Sequence, residues 1–163
     1  MTVLGIDPGT SVTGYGVVRR AANGRSQLPS LVECGVIRTR TRDPLATRLH
    51  EIYMGVTELI ARHQPDVLAV EDVFYRRNVR TAVVLGHTRG VILLAGASAG
   101  IRVHEFAPAS IKKSVVGVGG ASKQQVQFMV MRILRLKSMP EPFDAADGVA
   151  AALTYCMAQP LSL

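Results

Sequence analysis

No tryptophan occurs in this chain, and four Phe and four Tyr are its only aromatic residues among 163. Any local concentration of them therefore carries information. Two cysteines, Cys34 and Cys156, exclude a disulfide framework and a thiolate metal site, and both read as reduced core residues. The four histidines, His50, His63, His87 and His104, are scattered without H-E-x-x-H spacing, which excludes that kind of zinc hydrolase and leaves each as a structural or surface residue. No G-x-S-x-G elbow is present. Gly9-Thr-Ser-Val-Thr-Gly14 has P-loop glycine spacing, but Tyr15 and Gly16 stand where Lys and Ser or Thr would hold phosphate and Mg²⁺, so the segment is a turn. Long apolar runs are also lacking. Gly90 to Ile101 falls short of the roughly 20 residues that cross a bilayer, and the N-terminus has no signal pattern. The expectation is a soluble, cytoplasmic protein with no membrane partner. Acidic charge is scarce as well: twelve Asp and Glu face nineteen Lys and Arg, a net charge of +7.

Against that scarcity, four acids occupy unusual places. Asp7 ends the apolar segment Thr2-Val-Leu-Gly-Ile6, Glu71 ends Val67-Leu-Ala-Val70, and Asp144 and Asp147 lie three apart in Phe143-Asp-Ala-Ala-Asp-Gly148. Short apolar runs bounded by turn formers read as buried strands, so Asp7 and Glu71 sit where two core strands emerge from a sheet. Positions i and i+3 on a helix lie within about 60° of one face, so two strand ends and one helix can aim up to four carboxylates at one point. Like charges that close need a cation. Hard oxygen ligands without Cys or His favour Mg²⁺, with Mn²⁺ as a substitute, and a two-cation carboxylate site is a recurring means of cleaving phosphodiesters. The basic excess on the rest of the chain points to nucleic acid as the partner.

The chain reads as one α/β domain over residues 1–163 with a mixed sheet. Leu4 to Asp7, Gly14 to Arg19 and Leu31 to Arg38 form an antiparallel meander with turns at Pro8-Gly9 and near Asn23-Gly24. Leu45, Leu49, Ile52, Tyr53, Val56, Leu59 and Ile60 repeat at helical spacing before the strand Val67 to Glu71, which makes a strand-helix-strand crossover. A polar and basic loop, Asp72 to Arg80, precedes an apolar helix from Thr81 to Ala99 and a fifth strand, Ile101 to Phe106. Helices follow from Pro108 to Val116, after the N-cap Ser122, and from Phe143 to Met157. Gly86, Gly90, Ala97 and Gly100 put small residues along the apolar helix, open either to a dimer partner or to the chain's own packing. The loop holds Phe74 and Tyr75 beside Arg76, Arg77 and Arg80, and an exposed aromatic among arginines can stack on an unpaired base.

Taken in order, Gly5-Ile-Asp-Pro-Gly9, Thr13-Gly-Tyr-Gly-Val17, Val70-Glu-Asp-Val-Phe74 with Asn78, Gly86-His-Thr-Arg-Gly90, Lys112-Lys-Ser-Val-Val-Gly117, Lys123-Gln-Gln-Val-Gln127 and Asp144-Ala-Ala-Asp147 resemble the RuvC Holliday-junction resolvases of bacteria over nearly the whole chain. The resemblance implies a ribonuclease H-like fold with a five-stranded mixed sheet flanked by helices. It also implies a homodimer that makes paired, Mg²⁺-dependent incisions in a four-way DNA junction during recombination and repair, beside the RuvA and RuvB branch-migration proteins. By position the metal-binding acids are Asp7, Glu71, Asp144 and Asp147. Lys112 and Lys123 resemble the family's basic residues near the scissile phosphate, and Phe74 the residue that enters the junction centre. Tyr75, Arg76, Arg77, Asn78, Arg80 and Lys113 complete the expected DNA contacts. Two-cation chemistry would leave a 5′-phosphate. Gly148 stands where the family often has Ala, Tyr155 where it often has His, and no basic tail follows the last helix. Two other readings use the same residues: a ribonuclease H-like nuclease acting on RNA or other branched DNA, and a nucleotide-binding protein of the actin and sugar-kinase type, whose first phosphate motif resembles Gly5-Ile-Asp-Pro-Gly-Thr10. The latter needs two such domains around a cleft, and a junction binder without catalysis is at odds with four intact acids.

Overall fold

In the computed structural model, residues 1–20, 28–72 and 79–158 are described. Phe74, Tyr75, Arg76, Arg77 and Asn78 lie outside the described residues. The elements run β1 (Thr2–Asp7), β2 (Val12–Arg19), β3 (Ser30–Arg38), α1 (Leu45–His63), β4 (Val67–Glu71), α2 (Val79–Ser98), β5 (Arg102–Phe106), α3 (Pro108–Val116), α4 (Lys123–Ile133) and α5 (Phe143–Ala158). The strand order is β3-β2-β1-β4-β5. The first three strands pair antiparallel, and β1, β4 and β5 run parallel.

The central strands are buried on both faces, which is why they read as continuous apolar runs rather than as alternating ones. Val3, Val67 and Ala69 face a core with α3, α4 and α5, whereas Leu4, Ile6, Leu68 and Val70 face one with α1 and α2. Side chains alternate along a strand. Asp7 shares the parity of Val3 and Gly5, and Glu71 that of Val67 and Ala69, so both acids fall on the side that α5 covers.

Local signals account for the helix ends. Ser122 and Gln125 form a reciprocal capping box on α4, with Ser122 N donating to Gln125 Oε1 at 2.8 Å and Gln125 N to Ser122 Oγ at 3.2 Å. Pro108 opens α3, and Gly117 closes it at φ 95°, where a Cβ would be strained. His63 is structural, with Nε2 2.8 Å from Glu33 Oε2, while Tyr15 donates to the other oxygen of Glu33 at 2.8 Å. The ring of His104 lies 4.8 Å from that of Tyr155.

Several expected boundaries shift by one or two residues, β1 among them, which begins at Thr2 and not at Leu4. β2 begins at Val12, two residues before the expected Gly14, and α2 begins at Val79, so Arg80 lies in its first turn and not in the preceding loop. No Gly or Pro separates Val79 from Thr81, and nothing stops the helix from extending backward. At 20 residues and mean hydropathy 1.3, α2 is long and apolar enough to cross a membrane, unlike the shorter stretch from Gly90 that the sequence suggests. Its Leu85, Thr88, Ile92, Ala95 and Gly96 are buried. Arg89, in its middle, pairs with Asp72 and Glu105. It is therefore a helix that covers a sheet.

Helix α5 lies against the sheet almost backbone to backbone. A Cβ on Gly5 would strike the carbonyl oxygen of Gly148, one on Gly14 would strike that of Asp144, and one on Gly16 would come within 2.6 Å of Val149 Cα. From the helix side, a Cβ on Gly148 would come within 2.6 Å of Tyr15 Cα. Ala152 meets Gly5 directly, and Ala145, Ala146, Ala150 and Ala151 keep the rest of the buried helix slim, each at most 1% exposed. This contact explains why glycine stands at position 148.

Gly16→Ala should therefore destabilise the fold by about 1–3 kcal/mol, as overpacking of a tight core does. Gly120→Ala, where an added Cβ meets nothing within 4 Å, should stay within about 0.5 kcal/mol of the parent. Urea midpoints at equal m-values measure both, and equal midpoints for the two variants would refute the close approach.

Candidate functional site

The site lies at the edge of the sheet where the parallel strands end. Asp7 and Glu71 are the last residues of β1 and β4, adjacent parallel strands. In the antiparallel pairing with β2, Asp7 faces Gly14. Because Gly14 has no side chain, the backbone of Asp144 rests directly on it. One turn along α5, Asp147 follows on the same side. All four acids are half-buried.

Their proximity appears in their charges. The Asp7 carboxyl is held well above its ordinary 3.8, first by burial, then by Glu71 and Asp147, with Asp144 adding to the rise and Lys123 opposing it. Asp147 is raised by burial and by Asp144, against the lowering influence of Lys123 and Lys112. Burial works against the Lys123 ammonium, but Asp147, Asp144 and Asp7 outweigh it and raise its pKa. Lys123 Nζ lies 3.1 Å from Asp147 Oδ2. Lys112, on α3, is half-buried and close enough for its charge to act on Asp147, whereas Lys113 is exposed. Arg80 is exposed and lines a separate groove on the α1 and α2 side of the sheet.

The acids thus share one electrostatic neighbourhood, though without a ready-made cage for a cation. Among the described residues, no three Asp, Glu, His or Cys side chains converge closely enough to hold a cation as they stand. Mutual repulsion keeps carboxylates apart, and Asp147 takes the Lys123 ammonium as its partner. The donor set nevertheless suits a hard divalent cation. It is all oxygen, it carries more negative charge than one lysine offsets, and it is fixed on two strand ends and a helix.

Arg89 belongs to the surroundings of the site and escapes a reading for acids and exposed bases. Its Nε lies 3.3 Å from Asp72 Oδ1, and its guanidinium also pairs with Glu105. Asp72 N donates to Phe106 O at 2.8 Å. The residue after Glu71 is therefore tied both to β5 and to α2. The only trace of this in sequence is a charged residue inside an apolar helix.

The raised carboxyls make stability depend on pH with a definite sign. Asp7 and Asp147 hold protons more tightly in the folded than in the unfolded chain, so stability falls as pH rises from about 3.8 through the raised folded values. In chelator at pH 7, Asp7→Asn should raise the thermal midpoint, by about 2–4 °C for each ~1 kcal/mol of relieved repulsion and burial. The gain should shrink as pH approaches 4. A variant no more stable than the parent at pH 7 would contradict the charge crowding described here.

Comparison with known proteins places these features in context. The model of the family described as RuvC, crossover junction endodeoxyribonuclease, matches residues 3–155. The crossover junction endodeoxyribonuclease RuvC of Desulforamulus reducens is 46% identical over 155 residues, which cover 95% of this chain and 93% of the relative. The structure of Thermus thermophilus RuvC superposes with a TM-score of 0.85 at 36% identity, over 96% of this chain and 94% of the other. A second Thermus thermophilus RuvC structure, in complex with Holliday junction substrate, gives a TM-score of 0.85 at 32% identity with the same coverage.

Proposed function

Since this chain belongs to the RuvC family of crossover junction endodeoxyribonucleases, we propose that it resolves four-way DNA junctions by paired, symmetric, Mg²⁺-dependent incisions. The observation that carries the reading is the gathering of acids from three elements, with Asp7 at the end of β1 in the field of Glu71 from β4 and of Asp147 and Asp144 from α5. Asp7, Glu71, Asp144 and Asp147 would hold two cations, Mg²⁺ with Mn²⁺ as substitute. When bound, these supply an activated water and stabilisation of the leaving 3′-oxygen, the chemistry that leaves a 5′-phosphate.

The chain's own part is positioning and charge. Asp7 and Glu71 are held by strand hydrogen bonding up to their own residues, and Asp144 and Asp147 by the backbone contact of α5, so the backbone positions of the four acids are set before substrate arrives and only their side chains have to close on a cation. Lys123 is kept protonated by three acids and stands at the rim, where an ammonium can offset charge developing on the phosphate. Lys112 approaches from α3 on the same side. Lys113 and Arg80 supply further phosphate contacts. Phe74, Tyr75, Arg76, Arg77 and Asn78 follow directly after the Glu71 and Asp72 anchor, and we assign them to the open junction centre, with Phe74 stacking on a base.

Paired incision requires two sites, and α2 offers a surface for a second copy. Val79, Val83, Gly86, Gly90, Leu94 and Ala97 fall on one exposed face at helical spacing. Val79, Val83 and Leu94 are 76%, 53% and 56% exposed. Among the described residues, nothing lies within 4 Å of where a Cβ on Gly86 or Gly90 would sit, so their lack of side chains serves no contact there. A twofold dimer through this face would present two identical sites to strands of like polarity. We extend the proposal to contacts with RuvA and RuvB and to a cytoplasmic location, both of which the family resemblance supports.

Cleavage of a synthetic four-way junction, beside duplex and RNA-hybrid controls, tests the function. Cutting should require a divalent cation and be specific to the junction. Asp7→Asn and Glu71→Gln should each lose at least about 10²-fold in cleavage rate while still binding the junction, and near-parental cutting by either would remove that acid from the site. Leu94→Glu should give monomers in sedimentation and, with them, single nicks in place of paired cuts. A dimeric Leu94→Glu protein would move the interface elsewhere.

A further inference from the structure

A groove of about 450 Å³ opens on the α1 and α2 side of the sheet, at the same edge as the acids but across the sheet from Lys112 and Lys123. The β1–β2 turn forms one wall through Thr10 and Ser11, and the first turns of α1 and α2 bring Arg48 and Arg80 to it. The partners of Arg48 are unusual. Its Nε donates to Thr39 Oγ1 at 3.0 Å and its Nη2 to Ser11 Oγ at 2.9 Å. Thr39 Oγ1 in turn donates to Thr10 O at 2.6 Å, and the Thr10 hydroxyl lies 2.9 Å from that of Thr88 on α2. The guanidinium is thus held in one orientation by a relay of hydroxyls that also ties the turn to two other elements.

Every one of these partners is neutral. Among the described residues Arg48 forms no ion pair with a carboxylate, whereas Arg62, Arg89 and Lys123 each do. Arg48 is half-buried, and a partly desolvated charge without a counter-charge is unfavourable unless an anion completes it. Two of the five N–H donors of a guanidinium are used here, which leaves others for a phosphate, the anion whose geometry a fixed fork matches best. The positive ends of α1 and α2 point to the same edge and add to the attraction.

We propose that Arg48, with Arg80 on the facing wall, forms a second phosphate-binding subsite for a DNA strand that runs over the α1 and α2 side while the strand to be cut passes the acids. The assignment deepens the junction-resolving reading above and rests on it. A branched substrate, whose arms diverge from the point of cutting, can lay one strand at the acids and another over the α1 and α2 side.

Binding of fluorescent four-way junction, duplex and single strand, titrated in EDTA at several salt concentrations, tests the subsite. For Arg48→Gln, junction affinity near 0.1 M salt should fall on the order of tenfold, the effect of losing one charged hydrogen bond. The slope of log affinity against log salt should become shallower by about 0.9 for each phosphate released. Arg80→Ala alters an exposed side chain outside the hydroxyl relay, so it keeps the test decisive if Arg48→Gln does not fold, and it carries the same expected change in slope. Parental affinity and slope in Arg80→Ala, or in a folded Arg48→Gln, would overturn the subsite. If the parent prefers junctions and the variants match it, the subsite alone fails. If the variants lose slope on duplex and the parent shows no junction preference, the subsite stands as a phosphate contact and the junction reading fails. A parent that binds none of the three DNAs would overturn both.

Discussion

The contact on which the rest depends is the backbone approach of α5 to β1 and β2. Gly5, Gly14 and Gly16 on the strands and Gly148 on the helix remove the side chains that would hold the two layers at ordinary distance. Sheets and the layers packed on them normally stand about 10 Å apart, and side chains fill the space between. Here methyl groups suffice, and the helix carries Asp144 and Asp147 down to Asp7. With larger residues at these positions the same acids would sit on the same elements, farther apart than one site allows. The alanine content of α5 follows from the same requirement. Its 11 buried residues include five alanines and a glycine, so it offers little bulk and fits where a leucine-rich helix would not.

Charge is divided across this edge of the molecule with a consistent logic. Four carboxylates crowd the α5 side, with Lys123 as the one described ion-pair partner among them. Burial and repulsion make that arrangement costly for the protein alone, and a site that is unfavourable without cations is one that cations stabilise. The remaining positive charge brings the chain to +7 overall. Lys112, Arg48 and Arg80 border the same edge from both faces of the sheet. An acidic centre within a basic surround attracts a polyanion and still leaves the phosphate to be cut over the metal ligands.

Much of this architecture was legible in residue patterns because its cause is local. The five strands, the crossover and the helices rest on apolar runs, helical periods and the caps at Ser122 and Pro108, all of which act within a few residues. The errors were of the same kind. Arg80 is helical because the sequence contains no stop signal before it, and α2 is longer and more apolar than its most obvious stretch. Even the side taken by Asp7 and Glu71 could be counted from strand parity. The relays were not legible. Nothing near Arg48 in sequence announces Thr39, Ser11 and Thr88, and nothing near Arg89 announces Glu105 and Asp72 as its partners.

What the sequence by itself determined was therefore the identity and order of the chemical groups: an excess of base, four acids at strand ends and on one helix face, and a glycine wherever two backbones were to meet. Local sterics and hydrophobic burial are enough to translate those into elements. The tertiary structure alone decided how the groups act on one another. Close packing placed Gly14 under Asp144, so that charges distant in the chain came near enough to shift one another's protonation. It set Lys123 against Asp147 in place of a ready-made ligand cage. It also held Arg48 by hydroxyls from the turn and from β3's end. Electrostatic coupling depends on distance and desolvation, and neither exists for residues far apart in sequence until the chain has packed.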